Sequence, residues 1–494
     1  MSFGIDTAAA IYGCFAGKRR IILMKEFCDV FSELLNKSGL KQKEIAEMLG
    51  VKAPYLSKLK SGKLLPQNFW NVQKIADKLI LDKDETSELV NAYKKSKFGE
   101  SYIMLEKAID KIFSSEFYDD SEIISYDEPI IKKKNGVVFG KPETEKYIIK
   151  ILKGKKPRVA YDPRSEEMKK VLESSLSEID ESIRSVFFIN DNKDIEYLNI
   201  NVEILAGVLP FIMKDKINFR YSSRDFSKSY SSNPFPYSVA NDSEQLFVNK
   251  DLTKSVYVTE SDIVQLCNNN FDKTFASFNE LCLYFDDPVD FMKTVNCTEI
   301  MDNNPFKEDE VFSVGYYPCV ILGVRFDEMS DYVGSYEEKE VLLSSYEKVL
   351  HNVYSKCRKL NCICSSEGVK EFLHNEDYVM FNESMSKNLP KHFRHRLLNR
   401  VIDVCSQSER INYKIMKSHL TQCLKDFEID VFSDGKLLLF YMMDNKMKII
   451  LFNNDSFTYP IISYYKYLAD MDIIYSNEES CNFMKEEMEK EFVK

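Results

Sequence analysis

The sequence predicts a multidomain chain: an all-α N-terminal domain followed by a larger mixed α/β region. Three observations point there. Apolar residues between Phe27 and Tyr93 recur at helical spacing. From about residue 137, short apolar runs of strand length alternate with helical stretches. Between the two patterns lies an acidic stretch, Glu116–Glu128, followed by Lys132–Lys134 and Gly136, which reads as a linker.

The N-terminal elements follow one another closely. Phe27, Val30, Phe31, Leu34 and Leu35 define a first helix that Gly39 stops. Gln42–Leu49 forms a second, with Ile45, Ala46 and Leu49 on one face and Gly50 breaking it. Pro54–Lys60 forms a third, carrying Leu56 and Leu59, ended by Gly62 and Pro66. Asn68–Leu79 and roughly Asp84–Lys95 complete the set.

The larger region is read as two α/β subdomains, 137–285 and 286–494, after a helical and acidic linker over 99–136. Arg158–Tyr161 and Ser185–Ile189 are expected strands flanking a helix at Ser165–Ser182. Asn201–Met213 is an expected helix and Ile217–Tyr221 a strand. Leu246–Val248 and Ser255–Val258 form a strand pair before a helix near Asp262–Leu281. Glu428–Phe432, Lys436–Met442 and Lys446–Phe452 read as successive strands, with turns at Asp434-Gly435 and Asp444-Asn445 and a helix at Pro460–Leu468. The stretches Leu246–Leu266 and Leu437–Leu468 share one pattern, a strand pair, a polar break and a helix, which raises an internal duplication.

A chain of 494 residues with 44% hydrophobic and 29% charged residues can bury ordinary globular cores. Its net charge of −11 is unevenly spread: residues 24–99 carry +4 and residues 1–23 carry +2, which leaves −17 for the rest. Between Lys37 and Lys63 seven Lys face only Glu44 and Glu47. A polyanionic partner would be drawn to that stretch and repelled by the acidic body.

No apolar run is long enough to span a bilayer, and the mildly apolar Thr7–Gly17 has the charge order of a secretory signal reversed. The amphipathic pattern starts at Met24, so Met1 and Met24 both stand as starts; residues 1–23 are expected to be a poorly ordered extension and the twelve Cys to be reduced in the cytosol.

The informative motif is Lys41 to Gly50 followed by Val51 to Lys63. A close crossing of two short helices needs a small residue, Ala46. The bend between them needs a residue tolerant of positive φ, Gly50. Leu56 and Leu59 can anchor the second helix on the first, with Val51 under the turn.

On these residues, with Gln42, the Ser57-Lys58-Leu59-Lys60-Ser61-Gly62-Lys63 run and Pro66, the segment 25–80 resembles the XRE family. These are the Cro and lambda-repressor-like helix-turn-helix regulators. The resemblance implies that the second helix of the motif enters the major groove of double-stranded DNA. It places Lys52, Ala53, Pro54, Ser57 and Lys58 at base edges and Gln42, Lys60 and Lys63 at phosphates, with Lys43 also in the DNA-binding set. It also implies a homodimer on two half-sites. Two departures stand out. Lys41 occupies a position where Ser or Thr caps a helix, and Ala53 and Pro54 offer a thymine methyl only apolar contact.

The reading is a cytoplasmic transcriptional regulator, not an enzyme. Its larger region would serve dimerisation, sensing of a small-molecule or peptide effector, or both; no membrane, cofactor or metal is called for. The alternative is an autoregulated enzyme or toxin with its activity in the C-terminal region. There Cys357, Cys362, Cys364, Cys405, His419 and Cys423 lack the paired spacing of a zinc site. The basic run Lys391, His392, Arg394, His395, Arg396 and Arg400 reads as a solvated helix face, and Tyr230–Tyr237 as a packed aromatic loop. No H-x-K, H-E-x-x-H, G-x-S-x-G or P-loop pattern occurs.

Overall fold

The computed structural model describes residues 26–113, 135–190, 195–223, 233–297, 310–330, 357–375, 388–417, 427–433, 435–443, 446–469 and 474–490, with positions 332, 343, 344 and 347. The extension 1–23, the stretches 116–128 and 132–134, and His419 and Cys423 lie outside the described residues. The chain divides into two compact units, and the division falls after Ile103.

The smaller unit is all-helical: α1 (Phe27–Lys37), α2 (Gln42–Leu49), α3 (Ala53–Lys60), α4 (Phe69–Leu79), α5 (Lys83–Phe98) and the start of α6 (Glu100–Phe113). Every helix of the motif turns one apolar stripe to a shared core. Phe27, Phe31, Leu34, Ile45, Ala46, Leu56, Leu59, Val72, Ile75, Leu89 and Tyr93 are buried together. Phe27 stacks on Phe31 with centroids 5.4 Å apart and meets the edge of Tyr93 at 6.2 Å. Asn68 caps α4 by accepting from the Asn71 N–H at 3.0 Å. Asp82 and Glu85 close a reciprocal box at the start of α5.

The larger unit holds two sheets. The first contains β1 (Gly136–Phe139), β2 (Arg158–Ala160), β3 (Ile183–Ile189), β4 (Ile217–Ser223), β5 (Tyr237–Ala240), β6 (Gln245–Val248), β7 (Lys254–Val258) and β8 (Asn279–Glu280), in the order β1-β7-β6-β5-β2-β3-β4-β8. Its helices are α7 (Lys141–Leu152), α8 (Glu166–Ser175), α9 (Ile195–Met213) and α10 (Ser261–Ser277). The second contains β9 (Cys282–Phe285), β10 (Glu310–Gly315), β11 (Lys359–Ser365), β12 (Ile411–Met416), β13 (Phe427–Phe432), β14 (Lys436–Met443) and β15 (Lys446–Asn453), in the order β12-β11-β10-β13-β14-β15-β9. Its helices are α11 (Pro288–Cys297), α12 (Ser366–His374), α13 (Lys391–Gln407), α14 (Asp455–Ala469) and α15 (Asn477–Glu489).

The two sheets repeat one topology. Three parallel strands, β2-β3-β4 and β10-β11-β12, alternate with helices. An antiparallel meander, β5-β6-β7 and β13-β14-β15, then runs off the first of the three. A helix follows each meander, α10 and α14. The segment before each repeat supplies an edge strand, β1 or β9, antiparallel to the last meander strand. Even the far edge matches: β8 lies antiparallel to β4, and Ile474 forms an antiparallel bridge with Met416 of β12. Both first strands run into a Tyr-x-Pro, Tyr161-Asp162-Pro163 and Tyr316-Tyr317-Pro318. The duplication raised by the strand-pair pattern thus extends over the whole of each sheet.

The repeats are welded together. Tyr441 donates its hydroxyl proton to the Met213 carbonyl at 2.9 Å, and the Asn454 amide donates to Tyr221 Oη at 2.8 Å. Ile109 and Ile112 of α6 line one small apolar pocket with Leu205 and Leu209 of α9 and with Ile429, Phe452 and Ile461. The later part of α6 is therefore body core, where the sequence predicts a linker.

Several expectations shift. β9, inside the expected 137–285 subdomain, joins the second sheet, because its residues pair with β15. The helix expected to Leu281 ends at Ser277, since Asn279–Glu280 is taken up as β8. The helix from Ser165 gives way to a 3-10 turn at Leu176–Glu178, and Ser165 is its cap, accepting from Met168 N–H. Within the expected solvated face of α13, Arg394 is buried, its guanidinium donating to the Phe372 carbonyl at 2.6 Å and to the Asn375 carbonyl. Arg400 pairs with Glu328 at 2.7 Å, whereas Lys391, His392 and Arg396 are exposed.

The packing of the second repeat can be tested at two positions. A Cβ on Gly368 would stand 1.8 Å from the Tyr316 carbonyl oxygen, a backbone atom that cannot swing away. Gly368→Ala should destabilise the larger unit by the roughly 1–3 kcal/mol typical of overpacking, read as a lower urea midpoint; an unchanged midpoint would contradict this packing. Asp430 is buried with Oδ1 unpartnered, and burial, reinforced by the Glu428 charge, pushes its carboxyl up to about 8. The folded state therefore holds a proton that the unfolded chain releases near pH 4. Stability should fall as pH rises from about 4 to 8, and Asp430→Asn should flatten that slope in chemical denaturation. Parallel slopes for both proteins would refute the assignment.

Candidate nucleic-acid interface

The helix-turn-helix is closed by backbone bonds around Gly50. Gly50 has φ 67° and ψ 32°, in the left-handed region, and a side chain there would meet open space. The Val51 N–H donates to the Ala46 carbonyl at 2.9 Å and the Gly50 N–H to the Glu47 carbonyl at 3.1 Å, the double closure of a Schellman end. Val51 rests half-buried against the core at that point. Ala46, Leu56 and Leu59 are buried.

α3 starts at Ala53 with Lys52 as its extended N-cap and Pro54 in the first turn, where its missing N–H costs no helical hydrogen bond. Turning Leu56 and Leu59 inward leaves Lys52, Ala53, Pro54, Ser57 and Lys58 exposed. Gln42, Lys43 and Lys63 are exposed too, and Lys60 is half-buried. The Gln42 side-chain amide reaches the Ala53 carbonyl at 3.5 Å, tying the start of α2 to the start of α3. The Ser61 hydroxyl donates to the Lys58 carbonyl at 3.2 Å, and the Leu64 N–H to the same oxygen at 3.2 Å, which fixes the exit from α3.

The missing cap at Lys41 has a local answer. Glu44 accepts from the Lys41 backbone N–H at 2.8 Å, so the acidic residue caps in place of the basic one. The Lys41 side chain is left exposed, a cation additional to those that the motif predicts.

Of the seven lysines between 37 and 63, Lys37 is neutralised in place. Its ammonium pairs with Glu85, which raises the Lys37 pKa and lowers that of Glu85. Lys41, Lys43, Lys52, Lys58, Lys60 and Lys63 have no carboxylate partner among the described residues. The surface is thus a concentration of lysines without carboxylate partners among the described residues, on α2, α3 and the residues flanking them.

The other sequence candidates fall elsewhere. Cys357, Cys362, Cys364 and Cys405 are buried in the second repeat. Among the described residues no group of three or more His, Cys, Asp or Glu is arranged to hold a metal ion. Of the Tyr230–Tyr237 loop, 230–232 lie outside the described residues, and Tyr237 is a buried β5 residue.

The αL turn gives a direct test. An added Cβ at Gly50 meets no atom, so Gly50→Ala should cost only the roughly 1–2 kcal/mol of a left-handed L-residue. Trp70, the single Trp, lies in α4, so its fluorescence reports on the smaller unit. The midpoint of its denaturant transition should drop in the variant; an unchanged midpoint would mean that the bend does not need glycine.

Comparison with known proteins agrees with this geometry in the N-terminal region. Residues 32–85 match a family described as Helix-turn-helix. No curated protein matches the chain. Among solved structures, phosphatidylserine synthase of Haemophilus influenzae Rd KW20 is similar at 9% identity and TM-score 0.24, over 70% of this chain and 88% of that one. TrmBL2, an archaeal chromatin protein, is similar at 13% identity and TM-score 0.22, over 49% of this chain and 88% of its own. The N-terminal region is an XRE-type helix-turn-helix, joined to a larger region of mixed sheets and helices.

Proposed function

We propose that this chain is a sequence-specific, double-stranded-DNA-binding transcriptional regulator of the cytoplasm and not an enzyme. The observation that carries the reading is the set of six lysines without a carboxylate partner among the described residues, on α2, α3 and the residues flanking them, inside a helix-turn-helix closed at Gly50. The second helix of such a unit fits the major groove, with its N-terminal residues at base edges. Ser57 and Lys58 supply hydrogen-bonding groups there, and Lys58 is the residue that can donate to guanine. Ala53 and Pro54 offer apolar contact to a thymine methyl. Gln42, Lys43, Lys60 and Lys63 take the flanking phosphates.

The remaining acidic region, at −17 for residues 100–494, stays off the duplex and confines contact to the reading head. It serves dimerisation, sensing of a small-molecule or peptide effector, or both. Two reading heads one DNA turn apart make a homodimer the expected form. An effector acts by binding one arrangement of the heads better than another.

Fluorescence anisotropy on the chain's own upstream DNA tests this. Lys58→Ala with Lys60→Ala should weaken binding at least tenfold and reduce the slope of log K against log salt by about 0.9 for each phosphate no longer neutralised. Affinity and slope equal to wild type would refute the assignment of α3 as the reading helix.

A further inference from the structure

Large apolar side chains lie exposed at one corner of the first sheet. Phe139 and Val137 of β1 are 67% and 46% exposed, and Leu266 and Ile263 of α10 are 62% and 46% exposed. Asn135 ties the two elements together. Its side-chain oxygen accepts from the Thr259 N–H at 2.7 Å and its amide donates to Glu260 at 3.4 Å, just before α10 begins. Both elements use the same face of the sheet. Ser255 and Tyr257 of β7 meet Thr144 and Tyr147 of α7, and the register puts Val138 beside Ser255 on that side. Val137 and Phe139 alternate to the other side. The register carries the α7 side from Tyr257 through Leu246 and Val239 to Val159. Arg158 is thus on the opposite side, where Asp272 of α10 pairs with it at 3.0 Å.

β1 is also the outer strand of its sheet and carries neither charge nor proline to guard that edge. The Gly140 N–H donates to the Thr253 carbonyl at 2.9 Å. Bonded residues alternate along an antiparallel ladder, so β1 bonds to β7 through Gly136, Val138 and Gly140. The N–H and carbonyl groups of Val137 and Phe139 point out of the edge, and among the described residues nothing bonds to them. The matching edge of the second sheet is better covered: β9 shows one exposed large hydrophobic, Leu283, and Lys448 pairs with Asp286 just past its end.

We propose that β1 pairs antiparallel with β1 of a second copy, about a two-fold axis at Val138. The strand is self-complementary. With Val138 opposite its own copy, Val137 stands opposite the partner's Phe139, and Phe139 opposite the partner's Val137. Each pair exchanges both backbone bonds and sets an apolar contact on the exposed face. Gly136 meets the partner's Gly140, so no side chain crowds the ends. The two-fold axis stands perpendicular to the sheet, so α10 of both copies shares one face, where Ile263 and Leu266 extend the apolar surface. A contact between identical chains needs this self-complementarity, which selects a second copy over an unrelated strand. The inference rests on the regulator reading for the expectation of a homodimer, and it uses no residue of the helix-turn-helix.

Sedimentation of the full chain without DNA tests the contact. The wild type should be a dimer. Phe139→Lys, at an exposed position, should raise the dimer dissociation constant roughly tenfold or more, since the two-fold axis repeats each lost contact. Val138→Cys should form a chain-to-chain disulfide under mild oxidation that the wild type does not, because facing Cα atoms of a non-bonded antiparallel pair stand about 4.5 Å apart. A monomeric wild type, a dimer equally tight in Phe139→Lys, or a dimer in which Val138→Cys gives no link would overturn the proposal. Duplex binding by the same proteins separates the two readings. A DNA-binding dimer that ignores both substitutions sinks this interface and leaves the reading helix standing; a β1-dependent dimer without DNA affinity does the reverse.

Discussion

A left-handed backbone at one residue sets the geometry on which the DNA-binding reading stands. With Gly50 at φ 67°, the chain reverses within a single residue and α3 leaves at an angle to α2. The bonds from Val51 and Gly50 to the Ala46 and Glu47 carbonyls satisfy acceptors that a helix end would otherwise leave open. Burial of Ala46, Leu56 and Leu59 then fixes the rotation of α3 about its axis. Once that rotation is fixed, Lys52, Ser57 and Lys58 have no direction to face but outward. The exposed chemistry is thus a consequence of the buried chemistry.

Charge follows the same division. Lys37 is the lysine of the stretch that lies nearest the end of α1, and Glu85 of α5 neutralises it. The six further along carry their charge outward and unpaired among the described residues. Surface ion pairs add little to stability, so leaving these lysines unpaired costs the fold little and leaves them available to a polyanion.

The smaller unit was legible in the sequence because its signals are local. Gly39, Gly50 and Gly62 all stand at positive φ, at or just beyond helix ends, and the apolar stripes sit at fixed helical offsets. The larger unit was legible in its meanders, where Leu437, Leu439 and Tyr441 alternate with more exposed residues along Lys436–Met443. The parallel strands of its second sheet were hidden. β10 and β11 are buried on both faces, so Val311–Val314 and Leu360–Ser365 show no alternation to read. The repeat was hidden further because register is a long-range property. Nothing local announces that β9 pairs with β15, more than 160 residues on. Arg394 misled for a related reason: a charged residue in a basic run reads as solvated until the carbonyls of Phe372 and Asn375 are seen to receive it.

The most direct measurement of the central claim is site-specific photocrosslinking to the chain's upstream duplex, with the reactive group placed in turn at Ser57, Lys58 and, as a control at an exposed position outside the motif, Asp84. The account predicts crosslinks to major-groove base atoms from 57 and 58, abolished in high salt, and none from 84. Crosslinks from 84 alone, or from the larger unit without any from 57 and 58, would contradict it.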